Sequence, residues 1–460
     1  MSEQPASGAG KAQPPKIKAE DNPWYLLATL YGVPDHLDRD LGEKNRIAWN
    51  RYFADNLDDE GRKKLIEDKQ YPAEELTAFS SKELEGVATA FAERCGPTKR
   101  LALPTSGADI DFSNVEFDRD VTFYRFVLQT CSFEGAIFSG GASFGGATFH
   151  WAAFDGATFS GRAYFVGATF ERGSFVGAIF SELAAFEGAT FSQRADFGGA
   201  MFSQLANFGG ATFFRAAYSS FAILSGFACF DDAAFSRQVY FDGAIFSCRA
   251  NFLKTTFGQT SRFVNAELKD KTSFEGATFE TKPPEFFGAK LHQDTVWRGI
   301  TWPSKPVDKD EAEEFIDAYA CLKLEMDRLK KHEDELDFFA LELQSRRVLL
   351  GTWTGLPVAI YGTFSDYGRS YLRPLGVLFY LALIGTLAFL SSDSLSPGQA
   401  LGLSFANSLN VFGFRKDFFD PTVIACLPPW PDVISAGQTI LGTILLFLFG
   451  LGIRNKFRMK

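Results

Sequence analysis

The sequence predicts a short-unit β-solenoid between about Ile110 and Trp302, with α-helical segments on either side and two membrane-spanning helices near the C-terminus. Three observations carry this reading. Phenylalanine returns at steps of five and six, with a small residue two positions before it. Apolar residues outside that ladder recur at helical spacing. Two uncharged apolar runs lie beyond Tyr371.

In the window Phe186–Phe208, Phe stands at 186, 191, 197, 202 and 208, and Ala at 184, 189, 195, 200 and 206. This matches neither the helical period of about 3.6 residues nor the strand period of about 2. It suits units that each supply one inward Phe and one inward Ala, followed by a turn. Alternation along an extended segment puts both side chains on one side. A single unit cannot bury its ring, whereas stacked units bury a continuous column. The predicted repeat core includes Phe133, Phe144, Phe154, Phe165, Phe186, Phe197, Phe208, Phe241 and Phe252. The phase survives changes of residue type. Ser219, Leu224 and Phe230, then Phe263, Leu268, Phe274 and Phe279, fall in the large slots; Ala217, Ala222, Ala228, Ser261, Ala266, Thr272 and Ala277 fall in the small ones. Four slots per coil give about 22 residues, and a rise of about 4.8 Å per coil gives a rod of about eight coils and about 40 Å.

On these residues the chain resembles the pentapeptide-repeat family, whose members fold as right-handed quadrilateral β-helices with a central Leu or Phe and a small residue two before it packed inside. The resemblance implies that fold for residues 110–302. The six-residue steps depart from the family's regular five and predict enlarged alternate corners. The acidic or amide residue common before the central position appears only at places such as Asp196, Asn207 and Asn251.

A formal net charge of −10 argues against a phosphate-binding surface, and the ladder accounts for the 15 % aromatic content. The six scattered Cys (95, 131, 229, 248, 321, 426) read as reduced thiols rather than disulfides. No catalytic motif, phosphate loop or His–Cys metal pattern occurs, and the four His (36, 150, 292, 332) are far apart. The expectation is a non-enzyme with no catalytic, metal or cofactor site.

Along the chain, residues 1–22 are rich in Gly, Ala, Pro, Gln and Lys and read as a disordered tail without a signal peptide. Residues 23–100 have helical spacing (Trp24, Leu26, Leu27, Leu30; Ile47, Trp49, Tyr52, Phe53; Leu84, Val87, Phe91) and predict a cap on the solenoid end or a partner-binding domain. The stretches Asn22–Val33 and Lys44–Tyr52 resemble the leader of a bacterial subgroup of pentapeptide-repeat proteins that end in membrane helices.

Past Pro303 and Pro306, residues 309–352 carry a heptad row from Phe315 through Leu322, Leu329, Leu336 and Leu343 to Leu350. A second row (Tyr319, Met326) is apolar only in the first half. Either the segment folds back as a helical cap or hairpin, or it joins subunits. A membrane-interface linker is expected over 353–371, spanning helices over 372–392 and 434–453, and a basic tail over 454–460. Arg369, Arg373, Arg454, Lys456 and Arg458 flank the two spans on one side. The positive-inside rule therefore places both termini and the repeat domain in the cytosol of a bacterial inner membrane. Between the spans, 398–414 predicts a short re-entrant or interfacial helix with Ser404, Asn407 and Ser408 on one face, then Asn410 and Gly413. This helix–short helix–helix layout resembles two-transmembrane potassium channels, though Asn410-Val-Phe-Gly-Phe replaces the family's filter sequence; an amphipathic loop covering the membrane face is the other reading.

The functional expectation is a membrane-anchored repeat protein, lipid-embedded and homo-oligomeric. It would be channel-like, with Ser404, Asn407, Ser408, Asn410 and Gly413 lining a pore. The alternative is a non-conducting tethered scaffold with a protein partner on the solenoid surface. DNA mimicry and topoisomerase binding, known among the family's soluble members, is a remote third reading, and no nucleic-acid partner is expected.

Overall fold

The computed structural model describes residues 15–35, 38–69, 71–391, 395–409 and 429–458. It forms two compact units, Met1–Pro303 and Ser304–Lys460.

The first unit is built on a parallel β-solenoid of about eight turns, with strands mostly two residues long. Its strands form ladders of nine, eight and 13. The 13-stranded ladder turns a corner. Thr169–Ser174 pairs with Thr190–Phe191 through one half and with Ala195–Asp196 through the other. Each coil therefore has four faces.

The coil length is not constant. Ile137 pairs with Thr158 and Thr158 with Ile179, a spacing of 21 residues. Ile179 pairs with Met201 and Met201 with Ile223, a spacing of 22. In the last coil Glu267 bridges Lys290 and Thr278 bridges Thr301, a spacing of 23. The expected 22 thus holds only in the middle of the rod. The cause is one corner: where Phe149 and Phe154, or Phe170 and Phe175, are five apart, a single six-residue strand runs round it. Where Phe191 and Phe197 are six apart, the added residue breaks that strand in two.

Every predicted core phenylalanine is at most 3 % exposed. Successive rings stack along each face, as Phe133 on Phe154 at 4.7 Å and 2°, while rings of neighbouring faces meet edge-on, as Phe144 and Phe154 at 5.3 Å and 80°. Burying each ring contributes about 1.5–3 kcal/mol, and the offset and edge contacts add about 0.5–1.5 kcal/mol per pair. Leu224, Leu268, Ser261 and Thr272 fill their slots as the phase requires. Trp297 and Trp302 stack on Phe274 and Phe279 as the last rungs.

The corners are tight turns. Ala136 N–H donates to Phe133 C=O at 3.0 Å, and Gly135 between them has φ 63°. Glycine is favoured there because that backbone crowds a Cβ. Arg125, Phe221, Asp232 and Lys254 adopt the same conformation without being glycine.

The N-terminal helices α1 (Pro23–Ala28), α2 (Arg39–Tyr52), α3 (Asp59–Lys69) and α4 (Ser81–Cys95) cover the exposed start of the ladders. An open strand edge presents unpaired backbone groups, and side chains here supply the missing partners. Asn50 Oδ1 accepts from Val127 N–H at 2.8 Å, Trp49 Nε1 donates to Val127 C=O at 3.0 Å, and Tyr71 Oη donates to Arg125 C=O at 2.9 Å. On a second face Asn22 Nδ2 donates to Asp111 C=O at 2.9 Å. On a third, Ile17–Lys18 adds a strand to Val115–Glu116. Within the expected disordered tail over 1–22, backbone pairing of Ile17–Lys18 and the Asn22 side chain hold the end of the segment against the rod despite its polar composition. Trp24, Trp49, Phe53 and Phe126 pack as one aromatic cluster beneath the cap.

In the second unit, α5 (Lys309–Arg328) and α6 (His332–Thr354) fold back on each other across Leu329–Lys331. Phe315, Tyr319, Leu322 and Met326 are buried in α5, and Phe338 and Ala340 in α6. The apolar seam is thus filled within one chain, the hairpin alternative. Leu350, at the end of the heptad row, is 46 % exposed. Buried Glu342 is paired with Lys323 at 2.6 Å and Arg346 at 2.8 Å. A further helix, α7 (Leu356–Ser365), occupies much of the expected linker. Then come α8 (Leu372–Leu390), α9 (Pro397–Ser408) and α10 (Pro429–Arg458). Stretches of α8 and α10, Leu372–Leu390 and Trp430–Arg458, are long and apolar enough to cross a membrane by length and composition. The helix of α10 continues to Arg458, through most of the expected basic tail. The five described cysteines are free, and burial pushes the Cys131 thiol well above its ordinary range.

Candidate functional site

The polar residues predicted on the short helix between the spans come together. α9 starts at a capping box in which Ser396 N–H donates to Gln399 Oε1 at 3.0 Å, with Pro397 in the first turn, so its start is well defined. At twelve residues it is too short to cross a bilayer. It packs against both α8 and α10.

The spacing i, i+3, i+4 puts Ser404, Asn407 and Ser408 on one face, and that face is turned into the helices of its own chain: their exposures are 0, 0 and 1 %. Ser404 Oγ donates to Ala382 C=O at 2.6 Å. Gln438 Nε2 donates to Ser404 Oγ at 2.7 Å and to Leu381 C=O at 3.1 Å, so one amide joins three helices. Asn407 Nδ2 donates to Ser435 Oγ at 2.9 Å and to Gln438 Oε1 at 3.5 Å. Asn407 Oδ1 and Ser408 Oγ are buried with no hydrogen-bond partner among the described residues. Two glycines make room for this. A Cβ on Gly385 would fall 1.8 Å from Gln438 Nε2, and one on Gly442 would fall 2.3 Å from Ser408 C=O. Asn410 and Gly413, the other predicted lining residues, lie outside the described residues. Gln438, Ser435 and Gly385 complete the cluster without having been singled out as site residues. The legible signal was Gln438, an amide in a run otherwise apolar, where such a group seeks an interhelical partner.

The basic residues at the helix ends are also engaged. Arg369 pairs with Asp366 at 2.8 Å and Asp337 at 3.1 Å, Arg373 approaches Asp366 at 3.6 Å, and Asn455 Nδ2 donates to Gly368 C=O at 3.2 Å. Arg458 stands 3.5 Å from Asp327 and 3.8 Å from Glu335. Arg454 and Lys456 lie in the same last turns of α10. These contacts tie the bases of the apolar helices to the α5–α6 hairpin.

On the rod, the largest cleft among those described has a volume of about 1010 Å³ and runs between α3 and one corner of the coils. Asp58, Lys64, His150, Glu171 and Arg194 line it, and His150 contacts Glu171 at the exposed corner. Mixed charge and an open form make it a surface groove without a catalytic constellation.

Residues 144–187 and 154–201 match the family model described as pentapeptide repeats (9 copies). Over that stretch the rod is similar to pentapeptide-repeat solenoids. The matched stretch lies in its N-terminal half and includes the change from 21- to 22-residue coils. No match to this chain was found among curated proteins or solved structures. Among the described residues, the buried polar cluster of α8–α10 gathers Ser404, Asn407, Ser408, Ser435 and Gln438 into one candidate functional site.

Proposed function

We propose that the chain is a membrane-anchored pentapeptide-repeat protein whose α8–α9–α10 layer self-associates into a channel-like assembly, with the rod as its sensing or assembly domain on the cytosolic side of a bacterial inner membrane. The observation that carries this reading is the layout itself: a short capped helix with a polar face, held by Gln438 between two helices of membrane-spanning length. The outer surfaces of those helices are apolar, with Leu387 69 % and Phe447 67 % exposed, as contact with lipid or a second copy requires. A single subunit with two spans encloses no pore, so conduction requires oligomers. The unpartnered Asn407 Oδ1 and Ser408 Oγ supply polar groups that an assembled layer would use.

The test is single-channel recording of the purified full-length protein in planar bilayers, with its oligomeric state measured in parallel. Discrete ion-selective steps that change in Asn407→Leu support the proposal; a monomer overturns it. A second reading, the non-conducting tethered scaffold, is favoured by the inward orientation of Ser404, Asn407 and Ser408 within one chain. Oligomers that never conduct, with Asn407→Leu altering only stability, would select it.

A further inference from the structure

We propose that Asp327, His332 and Glu335 form a binding site for a divalent metal ion of the zinc type, in competition with Arg458 at the end of α10. Asp327 lies in the last turn of α5, and His332 and Glu335, three apart in the first turn of α6, share a helix face. The hairpin turn brings one ligand atom from each within 4.8 Å of the others. Ligands held at about 2.0–2.2 Å from one ion are separated by no more than about 4.4 Å, so small side-chain movements complete the set. One imidazole with two carboxylates suits zinc better than calcium or magnesium, which take oxygen ligands.

The second observation is that this cluster already holds a cation. The Arg458 guanidinium reaches it from a different helix and lies against the same two carboxylates, at 3.5 Å from Asp327 and 3.8 Å from Glu335. Neither pair is a short, directed contact, and the side chains of Arg458 and Asp327 are each 51 % exposed. Such pairs are weak and displaceable. A doubly charged ion bound by His332, Asp327 and Glu335 would take the carboxylate oxygens and repel the guanidinium. The metal would therefore release the C-terminal end of α10 from the α5–α6 hairpin. The site couples metal concentration to the base of an apolar helix, independently of whether that helix lines a pore.

The test is calorimetric titration of zinc chloride into the tag-free full-length protein in detergent micelles. One ion should bind per chain. His332→Ala and the half-exposed Asp327→Asn should each weaken binding by about tenfold or more. Arg458→Ala should tighten it several-fold, because the competing charge is gone. An absence of binding to the wild-type protein, binding unchanged in both His332→Ala and Asp327→Asn, or an Arg458→Ala variant that binds no better would overturn the proposal. The opposite signs of the two kinds of variant distinguish this site from adventitious surface binding.

Discussion

Gln438 of α10 donates a 2.7 Å hydrogen bond to Ser404 of α9 directly over Gly385 of α8, where an added methyl would fall 1.8 Å from the donating nitrogen. Close approach of the backbone and a hydrogen bond are therefore the same feature. Gly385→Ala should displace Gln438 and destabilise the three-helix layer by at least the value of the bond, about 1 kcal/mol in membrane settings. Gly376→Ala, in the same helix with nothing within 4 Å of the added carbon, should be silent. Thermal unfolding in micelles makes the comparison, and equal effects of the two changes would disprove the contact.

The stacked rings predict a large cost for truncation in the rod. Phe154 is fully buried, stacked on Phe133 and Phe175, and edge-on to Phe144. Phe154→Ala should cost about 3–5 kcal/mol in denaturant unfolding. Phe221 is 71 % exposed, and Phe221→Ala should fall far short of that.

Corner conformation makes a prediction of opposite sign at two equivalent positions. Lys254 has φ 54° and Gly210 has φ 63°, each in the left-handed region. Gly210→Ala meets no atom within 4 Å, so its cost is purely conformational, about 1–2 kcal/mol. Lys254→Gly relieves the same strain and should raise the unfolding midpoint. A destabilised Lys254→Gly protein would show that the lysine's contacts outweigh its backbone.

The cap carries a titratable lock. Glu83 accepts hydrogen bonds from Ser80 N–H at 2.8 Å and Ser80 Oγ at 2.7 Å and pairs with Arg51 at 3.0 Å. Those bonds to Ser80, then the pairing with Arg51, hold its carboxyl near a pKa of about 2 against an ordinary 4.5. A depressed carboxylate stabilises the fold fully above the ordinary value, and that contribution is lost as pH falls from 4.5 through about 2. The stability gap between wild type and Glu83→Gln should be constant above about pH 5 and narrow over that window. A gap that does not change with acidification would rule out the carboxylate as its source.

The rod was legible because its signal is one-dimensional. A buried Phe slot must be filled once per face, so even Leu224 and Leu268 could be placed by counting. What counting missed was the five-residue step at Phe149–Phe154 and Phe170–Phe175, which appears only when more than one coil is compared. The N-terminal strand Ile17–Lys18 was not legible either, because its partner Val115 is almost a hundred residues away and two residues carry no periodicity. In the second unit, the heptads of α5 were clear but could not say whether the seam closed within one chain. Helical spacing puts Ser404, Asn407 and Ser408 on one face of α9, but what that face meets depends on Gln438 and Gly385 in other helices, which spacing within α9 does not carry.

The coils of this rod change from 21 to 22 to 23 residues while the ladders continue without a break. Height along the axis is set by backbone pairing, at about 4.8 Å per coil, and the extra residues enter only the perimeter. The rod is thus a ruler graduated in turns rather than in amino acids. A single-residue insertion at a corner alters girth at one level and leaves reach unchanged, whereas removing a whole turn would bring whatever binds its two ends closer by one fixed increment.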